Sequence, residues 1–431
     1  MTNMTAAKGH TPFQLSEEQT EAVNALVEFL QSPDPEDWNF TLSGSAGTGK
    51  TYCLQEVLAR VRKSHAKYAF TAPTNKAAKE LRKVVEEAMT IYSFLGLRID
   101  KNGELKTITQ GKPPVDLADY DAIFVDEAGM INSNLYGLLK ASAEKHQLKV
   151  VFIGDRCQLP PVKEAVSPVW AQGVLGVNLE TVMRFDNQIL DLANELREVI
   201  DSPAPCIKLK NANDGIEGIW KMSKAQFLQS IYIAAEDGAF ADGSHGKVIA
   251  WRNVKTAEYN QLIRSAIFGA AAIPGEYLVG DRIVAAAPCM RGDEALLTTD
   301  EEAIVEGVAI CPHPLAPKYK AFELKVRDEG NRVLRLLVLH PDSQQQFDND
   351  CNILAHEAKA DGRVWKKFWD LKELFHDIKY AYAITAHRSQ GSTYERVWVD
   401  YQDVLLNRNR KEAFQCLYVA TTRPRKQLYL A

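Results

Sequence analysis

Gly44-Ser45-Ala46-Gly47-Thr48-Gly49-Lys50-Thr51 is a glycine-punctuated run that ends on an ammonium and a hydroxyl. Residue types at that spacing, G-x-x-x-x-G-K-[ST], suit a polyphosphate: the glycines let the backbone curl until successive N–H groups point at phosphate oxygens, and a following helix adds the positive end of its dipole. On this reading Lys50 reaches the β- and γ-phosphates and the Thr51 hydroxyl coordinates Mg²⁺. A second pair, Asp126-Glu127, stands about one α/β unit downstream, at the end of the apolar run Ala122 to Val125. Asp126 suits the same Mg²⁺ and Glu127 suits polarising an attacking water, with a solvated strand end as the alternative. Hydrolysis also needs positive charge on the γ-phosphate as the bond breaks. Arg184 and Arg423 are the candidates, and surface salt bridges are the alternative for each, since 51 Lys and Arg residues are present.

These residues must be held by elements that the sequence also marks. Trp38 to Leu42 reads as a strand delivering the glycine-rich loop, and Tyr52 to Lys63 as the helix that the loop opens. Upstream, Ser16 caps an amphipathic helix through Ala22 to Leu30, and Ser32-Pro33-Asp34-Pro35 stops it. Tyr68 to Ala72 is a second strand, after which Thr74-Asn75-Lys76 caps a helix carrying Lys76, Lys79, Arg82 and Lys83. That basic face suits phosphates lying along it, and a solvated helix face is an equal alternative. Lys149 to Ile153 is a further strand, delivering Gly154-Asp155-Arg156-Cys157-Gln158. Strands alternating with helices, each ending in polar residues, imply a parallel sheet with its site at the carboxyl edge.

Between residues 90 and 114 the alternation breaks, and Leu97 to Leu105, with Asn102-Gly103 at its centre, reads as a β-hairpin. A second α/β unit begins after Arg184 with a helix from Gln188 to Val199 and a strand at Val248 to Trp251. Its closing strands lie far away, at Val397 to Val399 and Gln427 to Leu430. Residues 280 to 377 are therefore an insert, whose strand-like runs (Arg282 to Val284, Arg332 to Leu339) and aromatics Trp365, Phe368, Trp369 and Phe375 suggest a small β-barrel.

A length of 431 residues implies two to three domains, and 46% hydrophobic with 25% charged residues is ordinary for a folded globular chain. The formal net charge of −5 gives no bulk basic bias, so contacts to nucleic acid must be local and few. Seven cysteines without a C-x-x-C pair or a histidine at zinc-ligand spacing point to reduced thiols in a cytoplasmic protein. Met1 to His10 is polar and no run approaches ~18 apolar residues, so neither secretion nor membrane insertion is expected.

Taken in order, Gln19, the loop at 44–51, Thr71-Ala72-Pro73-Thr74-Asn75-Lys76-Ala77-Ala78, Asp126-Glu127-Ala128, Gly154-Asp155-Arg156-Cys157-Gln158-Leu159-Pro160-Pro161-Val162, Arg184, Ala386-His387-Arg388-Ser389-Gln390-Gly391-Ser392-Thr393 and Tyr418-Val419-Ala420-Thr421-Thr422-Arg423 resemble the motif set of a superfamily-1 DNA helicase of the RecD-like branch. The likeness runs from about residue 13 to the end, except near 200–245 and 285–350, and Trp365-Lys366-Lys367-Phe368-Trp369-Asp370 resembles bacteriophage members of that branch. It implies an α/β fold of two RecA-like P-loop domains. The first would be residues 1–187 with a hairpin insert at about 90–118, and the second 188–280 plus 378–431, interrupted at 281–377 by a small SH3-like β-barrel.

The same resemblance implies that ATP with Mg²⁺ is bound by Gln19, which would read the adenine edge, by Gly44, Ser45, Ala46, Gly47, Thr48, Gly49, Lys50 and Thr51, and by Gln390. Thr51 and Asp126 would hold the metal, and Lys50, Asp126, Glu127, Gln158, Arg184 and Arg423 would carry the hydrolysis. Gln158 and Gln390 would couple the γ-phosphate to domain closure, while Pro73, Thr74, Asn75, Thr385 and His387 would touch the DNA strand. A helix-cap or core position is the alternative for His387. The expected activity is that of a monomeric 5′-to-3′ translocase and helicase acting on single-stranded and forked duplex DNA. A single-strand DNA-binding protein or replication and recombination factors are candidate partners. Two rival readings are a motor subunit of a nuclease complex, which would want a cluster of metal-binding carboxylates, and an ATP-gated remodelling protein that never unwinds duplex. One departure from the family pattern is the polar hairpin tip Lys101-Asn102-Gly103-Glu104, where an aromatic on the strand-separating pin is expected.

Overall fold

Ser16 and Gln19 close a capping box, the serine hydroxyl accepting Gln19 N–H and the Gln19 side-chain oxygen accepting Ser16 N–H, each at 3.1 Å. Helix α1 (Glu17–Gln31) therefore starts where the sequence places its cap. The structure, a computed structural model, describes residues 15–34, 37–61, 66–99, 105–107, 115–161, 163–171, 174–181, 188–292 and 294–431. The next elements are β1 (Asn39–Gly44), α2 (Lys50–Val61), β2 (Tyr68–Ala72), α3 (Asn75–Arg82), β3 (Met89–Thr90) and α4 (Ile91–Phe94). They are followed by β4 (Leu97–Ile99), β5 (Leu105–Thr107), β6 (Ala122–Val125), α5 (Ser133–His146), β7 (Lys149–Gly154) and β8 (Gly176–Leu179). Six of these strands form one parallel sheet in the order β3-β2-β6-β7-β1-β8. Its central strands are buried almost end to end, as apolar strands covered by helices on both faces must be. Leu26, Leu54 and Val57 of α1 and α2 pack on one face with Phe40 and Phe124. Leu135 and Leu139 of α5 pack on the other with Ile123 and Phe152. Strands β4 and β5 pair with each other in antiparallel register, Ile99 opposite Leu105, and the tip that joins them, residues 100–104, lies outside the described residues.

The second sheet is assembled from two distant parts of the chain. Its first part contains α6 (Gln188–Ile200), β9 (Ala212–Asn213), β10 (Gly218–Lys221), α7 (Lys224–Glu236), β11 (Gly246–Ala250) and α8 (Asn253–Phe268). Then come β12 (Arg282–Ala285), β13 (Cys289–Arg291), β14 (Glu294–Leu297), β15 (Glu302–His313), β16 (Ala316–Asp328) and β17 (Val333–Leu339), helices α9 (Pro341–Ala360) and α10 (Val364–Lys372), and β18 (Ile378–Tyr380). The chain returns through β19 (Ala383–Thr385), α11 (Ala386–Ser389), β20 (Tyr394–Val399), α12 (Tyr401–Val404), α13 (Arg410–Thr421) and β21 (Pro424–Leu430). The order is β19-β11-β20-β21-β10-β9, parallel except for β9. Helices α6 and α13 cover one face, and α7 with α8 the other.

What lies between β11 and β19 is a five-stranded antiparallel sheet, β17-β16-β15-β12-β18, with Ile283, Leu324, Val326 and Leu336 in its core. Its entrance is fixed by Arg264, a fully buried guanidinium that meets Asp281 through two bonds of 2.8 and 2.9 Å and also donates to Ile273 O and Glu276 O. Each of its three nitrogens thus has an acceptor, which helps to offset the cost of burying the charge. The aromatic cluster expected in the barrel sits elsewhere: Trp365, Phe368 and Trp369 lie on α10, spaced three to four apart as a helix requires. Phe368 and Phe375 pack against Tyr319, Phe347 and Cys351 in a separate small core between α9, α10 and β16. No helix among the described residues is long and apolar enough to cross a membrane.

Candidate nucleotide cleft and DNA-contact edge

The segments that follow β1, β2, β6 and β7 all leave the parallel sheet at its carboxyl edge, which brings the 44–51 loop, Pro73 to Asn75, Asp126-Glu127 and Asp155 to Gln158 together. In the loop, Gly47 and Gly49 adopt φ of 87° and 86°, the left-handed region where a side chain is strained. At Gly49 an added Cβ would also lie 2.3 Å from Gln19 Nε2. Gln19 is buried against this curl and donates from Nε2 to Thr48 O at 3.0 Å. Lys50 Nζ folds back across the loop and donates to Gly44 O at 2.7 Å and Ser45 O at 2.9 Å. Ser45 Oγ is buried and has no hydrogen-bond partner. An unpaired buried hydroxyl costs ~1–3 kcal/mol, so the curl is shaped for an acceptor or donor that the chain itself does not supply. Thr51, on the first turn of α2, is exposed.

Asp126 Oδ1 accepts the Glu127 N–H at 2.9 Å, and Glu127 takes φ 50°, ψ 40°, a left-handed conformation that strains any residue with a side chain. Burial pushes both carboxyls above the usual carboxylate range. For Glu127 burial and the adjacent Asp126 outweigh the opposing pull of Arg423 and Lys50, bringing the group to about 7. An acid poised there can take a proton near neutral pH.

The facing wall comes from the second sheet. Arg423 is 6% exposed, so the surface-salt-bridge alternative fails for it. Its Nε donates to Val419 O at 2.9 Å, Nη1 to Ser392 O at 3.0 Å and Nη2 to Thr422 Oγ1 at 2.8 Å, all within its own domain. Gln390 Nε2 donates to Gln158 Oε1 at 3.1 Å, joining the two glutamines that the motifs singled out. Two further bonds cross the same boundary: Gln415 Nε2 to Gln158 O at 3.1 Å and Tyr418 Oη to Asp155 Oδ2 at 2.5 Å. Neither Gln415 nor Tyr418 was assigned a role from sequence. The available signal was Gln415 within the mostly apolar run Ala413 to Ala420, every residue of which is buried. Arg184 lies outside the described residues.

At the candidate DNA-contact edge, Thr74 caps α3 by accepting Ala77 N–H at 3.1 Å, and Thr385 caps α11 by accepting Arg388 N–H at 3.4 Å. Pro73 is buried and Asn75 exposed beside the first cap. Because Thr385 is the cap, His387 is not; it is exposed, with Nε2 3.5 Å from Glu412 Oε1 and Nδ1 4.0 Å from Cys416 Sγ. The fold thus gathers His387, Glu412 and Cys416, which spacing did not reveal. Burial pushes the Cys416 thiol up to about 12, so it keeps its proton. Although its side chain is 41% exposed, the desolvation of its packed part holds His387 below its ordinary value against the pull of Glu412, leaving it neutral at physiological pH. The basic face of α3 is largely solvated, with Lys79, Arg82 and Lys83 exposed and Lys76 half-buried, and each cation also has a partner in the protein. Lys76 Nζ reaches Tyr394 Oη at 3.2 Å, Lys79 pairs with Glu329 in the β16–β17 turn, Arg82 Nε donates to Ala88 O at 2.7 Å and Lys83 pairs with Glu80 at 2.6 Å. Each charge is paired within the protein, though the pairs of Lys79 and Lys83 are exposed and so weak.

Comparison with known proteins finds matches in both parts of the chain. A family model described as an AAA domain matches residues 14–217, and one described as a UvrD-like helicase C-terminal domain matches 380–431. The chain is 25% identical to the ATP-dependent DNA helicase dda of Enterobacteria phage T4, over 96% of this chain and 98% of that one. It is 21% identical to the uncharacterized protein R530 of Acanthamoeba polyphaga mimivirus, over 94% and 97%. Among solved structures, the Pif1 helicase from Bacteroides in complex with ADP-AlF3 and ssDNA superposes with a TM-score of 0.53 at 15% identity, covering 97% of this chain and 92% of that one. That likeness is one of fold, two RecA-like domains facing each other across a cleft.

Proposed function

The chain belongs to the Pif1/RecD-like group of superfamily-1 helicases, and from that premise we propose how its cleft works. It is an ATP-dependent DNA helicase, a DNA-stimulated ATPase that turns ATP and water into ADP and phosphate. We further propose that it moves 5′ to 3′ along single-stranded DNA and opens forked duplexes. The observation that carries this reading is the convergence of Lys50 and Glu127 from one sheet with Gln390 and Arg423 from the other in a single cleft.

The unpaired Ser45 hydroxyl and the tight curl at Gly49 fit a bound triphosphate, with Gln19 beside the loop for the adenine. Thr51 and Asp126 would hold Mg²⁺, which when bound neutralises charge on the phosphate oxygens. Lys50 exchanges its two loop carbonyls for β- and γ-phosphate oxygens. Glu127 accepts the proton of the attacking water, and Arg423, with Arg184, stabilises the charge that develops on the transferred group. Gln158 and Gln390, already in contact, register the γ-phosphate and hold the two domains closed until it leaves. Pro73, Thr74, Asn75, Thr385 and His387 lie along the strand, gripping through cap hydroxyls and backbone more than through lysines. On this reading the domains are 1–187, 188–280 with 378–431, and an SH3-like barrel at 281–377, and the β4–β5 hairpin is the pin that parts the strands. The test is a forked duplex with a 5′ or a 3′ single-stranded tail, incubated with ATP and Mg²⁺. Unwinding of the 5′-tailed substrate is expected. Preference for a 3′ tail would refute the polarity, and DNA-stimulated hydrolysis without unwinding of either would leave a remodelling ATPase in place of a helicase.

A further inference from the structure

Tyr394, the first residue of β20, is 3% exposed and is held from several directions. Its hydroxyl accepts a hydrogen bond from Lys76 Nζ of α3 at 3.2 Å, across the boundary between the two sheets. Its ring carries two ammonium groups, Lys247 at 5.3 Å and Lys76 at 5.7 Å from the centroid. Its backbone N–H donates to the carbonyl oxygen of Arg423 at 3.0 Å. Lys247 of β11 is 1% exposed and pairs with Glu302 Oε1 at 2.9 Å, while Arg282 Nη2 reaches Glu302 Oε2 at 3.0 Å.

The asymmetry of this group is informative. Glu302 keeps two cations, Lys247 and Arg282, whether or not Lys76 is present, and all three belong to the second sheet and its insert. Removing one partner from a buried pair is what usually freezes such a network. Here the contact from α3 can break and re-form without stranding a buried carboxylate. Lys76 is also the residue next to Asn75 and two from the Thr74 cap, on the edge assigned to DNA. The chain just before β20 also runs close to α3, since a Cβ added at Gly391 would lie 3.6 Å from Ala77 Cβ.

We propose that the Lys76–Tyr394 contact is a positioning element that links DNA in the groove to the placement of Arg423 in the nucleotide cleft. The inference rests on the DNA-stimulated ATPase proposed above. A strand lying over Pro73 to Asn75 sets the first turn of α3; that turn, through Lys76, sets the start of β20; and β20, through the Tyr394 N–H, sets the backbone of Arg423. Neither Lys76 nor Tyr394 touches nucleotide or strand in this scheme.

Tyr394→Phe keeps the ring, its packing and the Lys247 ammonium, and removes only the acceptor. ATP turnover of the full chain is measured with and without a dT oligonucleotide, alongside oligonucleotide affinity by fluorescence anisotropy. Turnover without DNA, KM for ATP and oligonucleotide affinity should stay within about twofold, while kcat at saturating oligonucleotide falls about tenfold, the scale of a lost charge-assisted hydrogen bond. Lys76→Met should lose the same stimulation, and the double variant should lose no more than either single one. Undiminished stimulation in Tyr394→Phe overturns the proposal. So does an equal fall with and without DNA, which would make the contact plain structural support, and so does weaker oligonucleotide affinity with intact maximal stimulation, which would make Lys76 a DNA grip. Absence of stimulation in the parent chain, seen before any variant is made, would instead refute the proposed function on which the inference stands.

Discussion

If Glu127 is the base, its unusual environment should be visible in the pH dependence of turnover. Its carboxyl is brought to about 7 by burial and the neighbouring Asp126, against an ordinary value of 4.5. A group titrating there is about one-tenth ionised at pH 6 and about nine-tenths at pH 8, so kcat/KM for ATP at saturating DNA should rise about tenfold across that interval. An unperturbed carboxylate would be almost wholly ionised at both ends and give a flat profile. Because Arg423 is among the charges that pull Glu127 down, Arg423→Ala should move the residual acid limb to higher pH while lowering its plateau. Glu127→Gln should cost ~10²–10⁴ in turnover and abolish the limb. Stability supplies an independent check. Between 4.5 and about 7 the folded chain binds the proton that the unfolded chain has released, so Glu127 lowers stability progressively as pH rises through that window. Glu127→Gln should therefore melt above the parent at pH 8, with the gap closing by pH 5. A profile flat between pH 6 and 8, or one that survives in Glu127→Gln, would refute the assignment.

Lys50→Ala should abolish ATP hydrolysis and unwinding with an unchanged melting temperature, because the side chain serves loop carbonyls and phosphate and not the core; parental turnover would remove Lys50 from the site. Arg423→Ala should reduce DNA-stimulated kcat by ~10³–10⁵ with a smaller change in nucleotide affinity, measured by steady-state turnover and nucleotide titration. Glu302 is opposed by burial but held at about 2 by Lys247, Lys76 and Arg282, so its stabilisation is complete above 4.5 and is lost as pH falls toward 2. Glu302→Gln, which strands Lys247 and Arg282, should cost ~3–5 kcal/mol at pH 7 in urea unfolding, with the difference from the parent shrinking below pH 4. Replacing residues 100–105 by Gly-Gly should spare hydrolysis driven by single strands and largely remove unwinding of a forked duplex, and unwinding at the parental rate would place the wedge elsewhere.

Elements built on continuous apolar runs and strong caps were legible from sequence, because local chemistry decides them. Tyr68–Ala72 and Ala122–Val125 are strands over the residues that the pattern marks, and Ser16 caps α1 as its type demands. The insert was less legible for an equally physical reason. Strand β16 alternates buried and less buried residues from Phe322 to Asp328 on a half-wetted sheet, so no long run of consecutive apolar residues announces it, and in β15 the short apolar runs Ala303 to Val305 and Val308 to Cys311 are split by Glu306-Gly307. Helix α9 buries only Ser343, Phe347, Cys351 and Ala358 of its 20 residues, and its polar remainder reads as loop. In the aromatic 365–369 stretch the three-to-four spacing was a helix signal, and hydrophobic content alone could not show that it packs outside the sheet.

The residues of the cleft divide along a related line. A motif specifies residue types and the element that carries them, and for the glycine-rich loop this is nearly the whole site, since Gln19, Lys50 and the loop carbonyls satisfy one another locally. Contacts between the two sheets are of another kind. Gln158 and Gln390 stand 232 positions apart, and Lys76 and Tyr394 stand 318 apart, so no periodicity relates them. The basic face of α3 shows the consequence. In sequence, four cations near a proposed DNA edge weigh equally toward phosphates or solvent; in the fold, Lys76 and Lys79 are drawn to a tyrosine and a carboxylate on the opposite domain and its insert. On the proposed reading, a DNA strand over this edge would be held through cap hydroxyls and backbone groups at Thr74 and Thr385, where movement of one domain against the other would change the spacing of the grip itself.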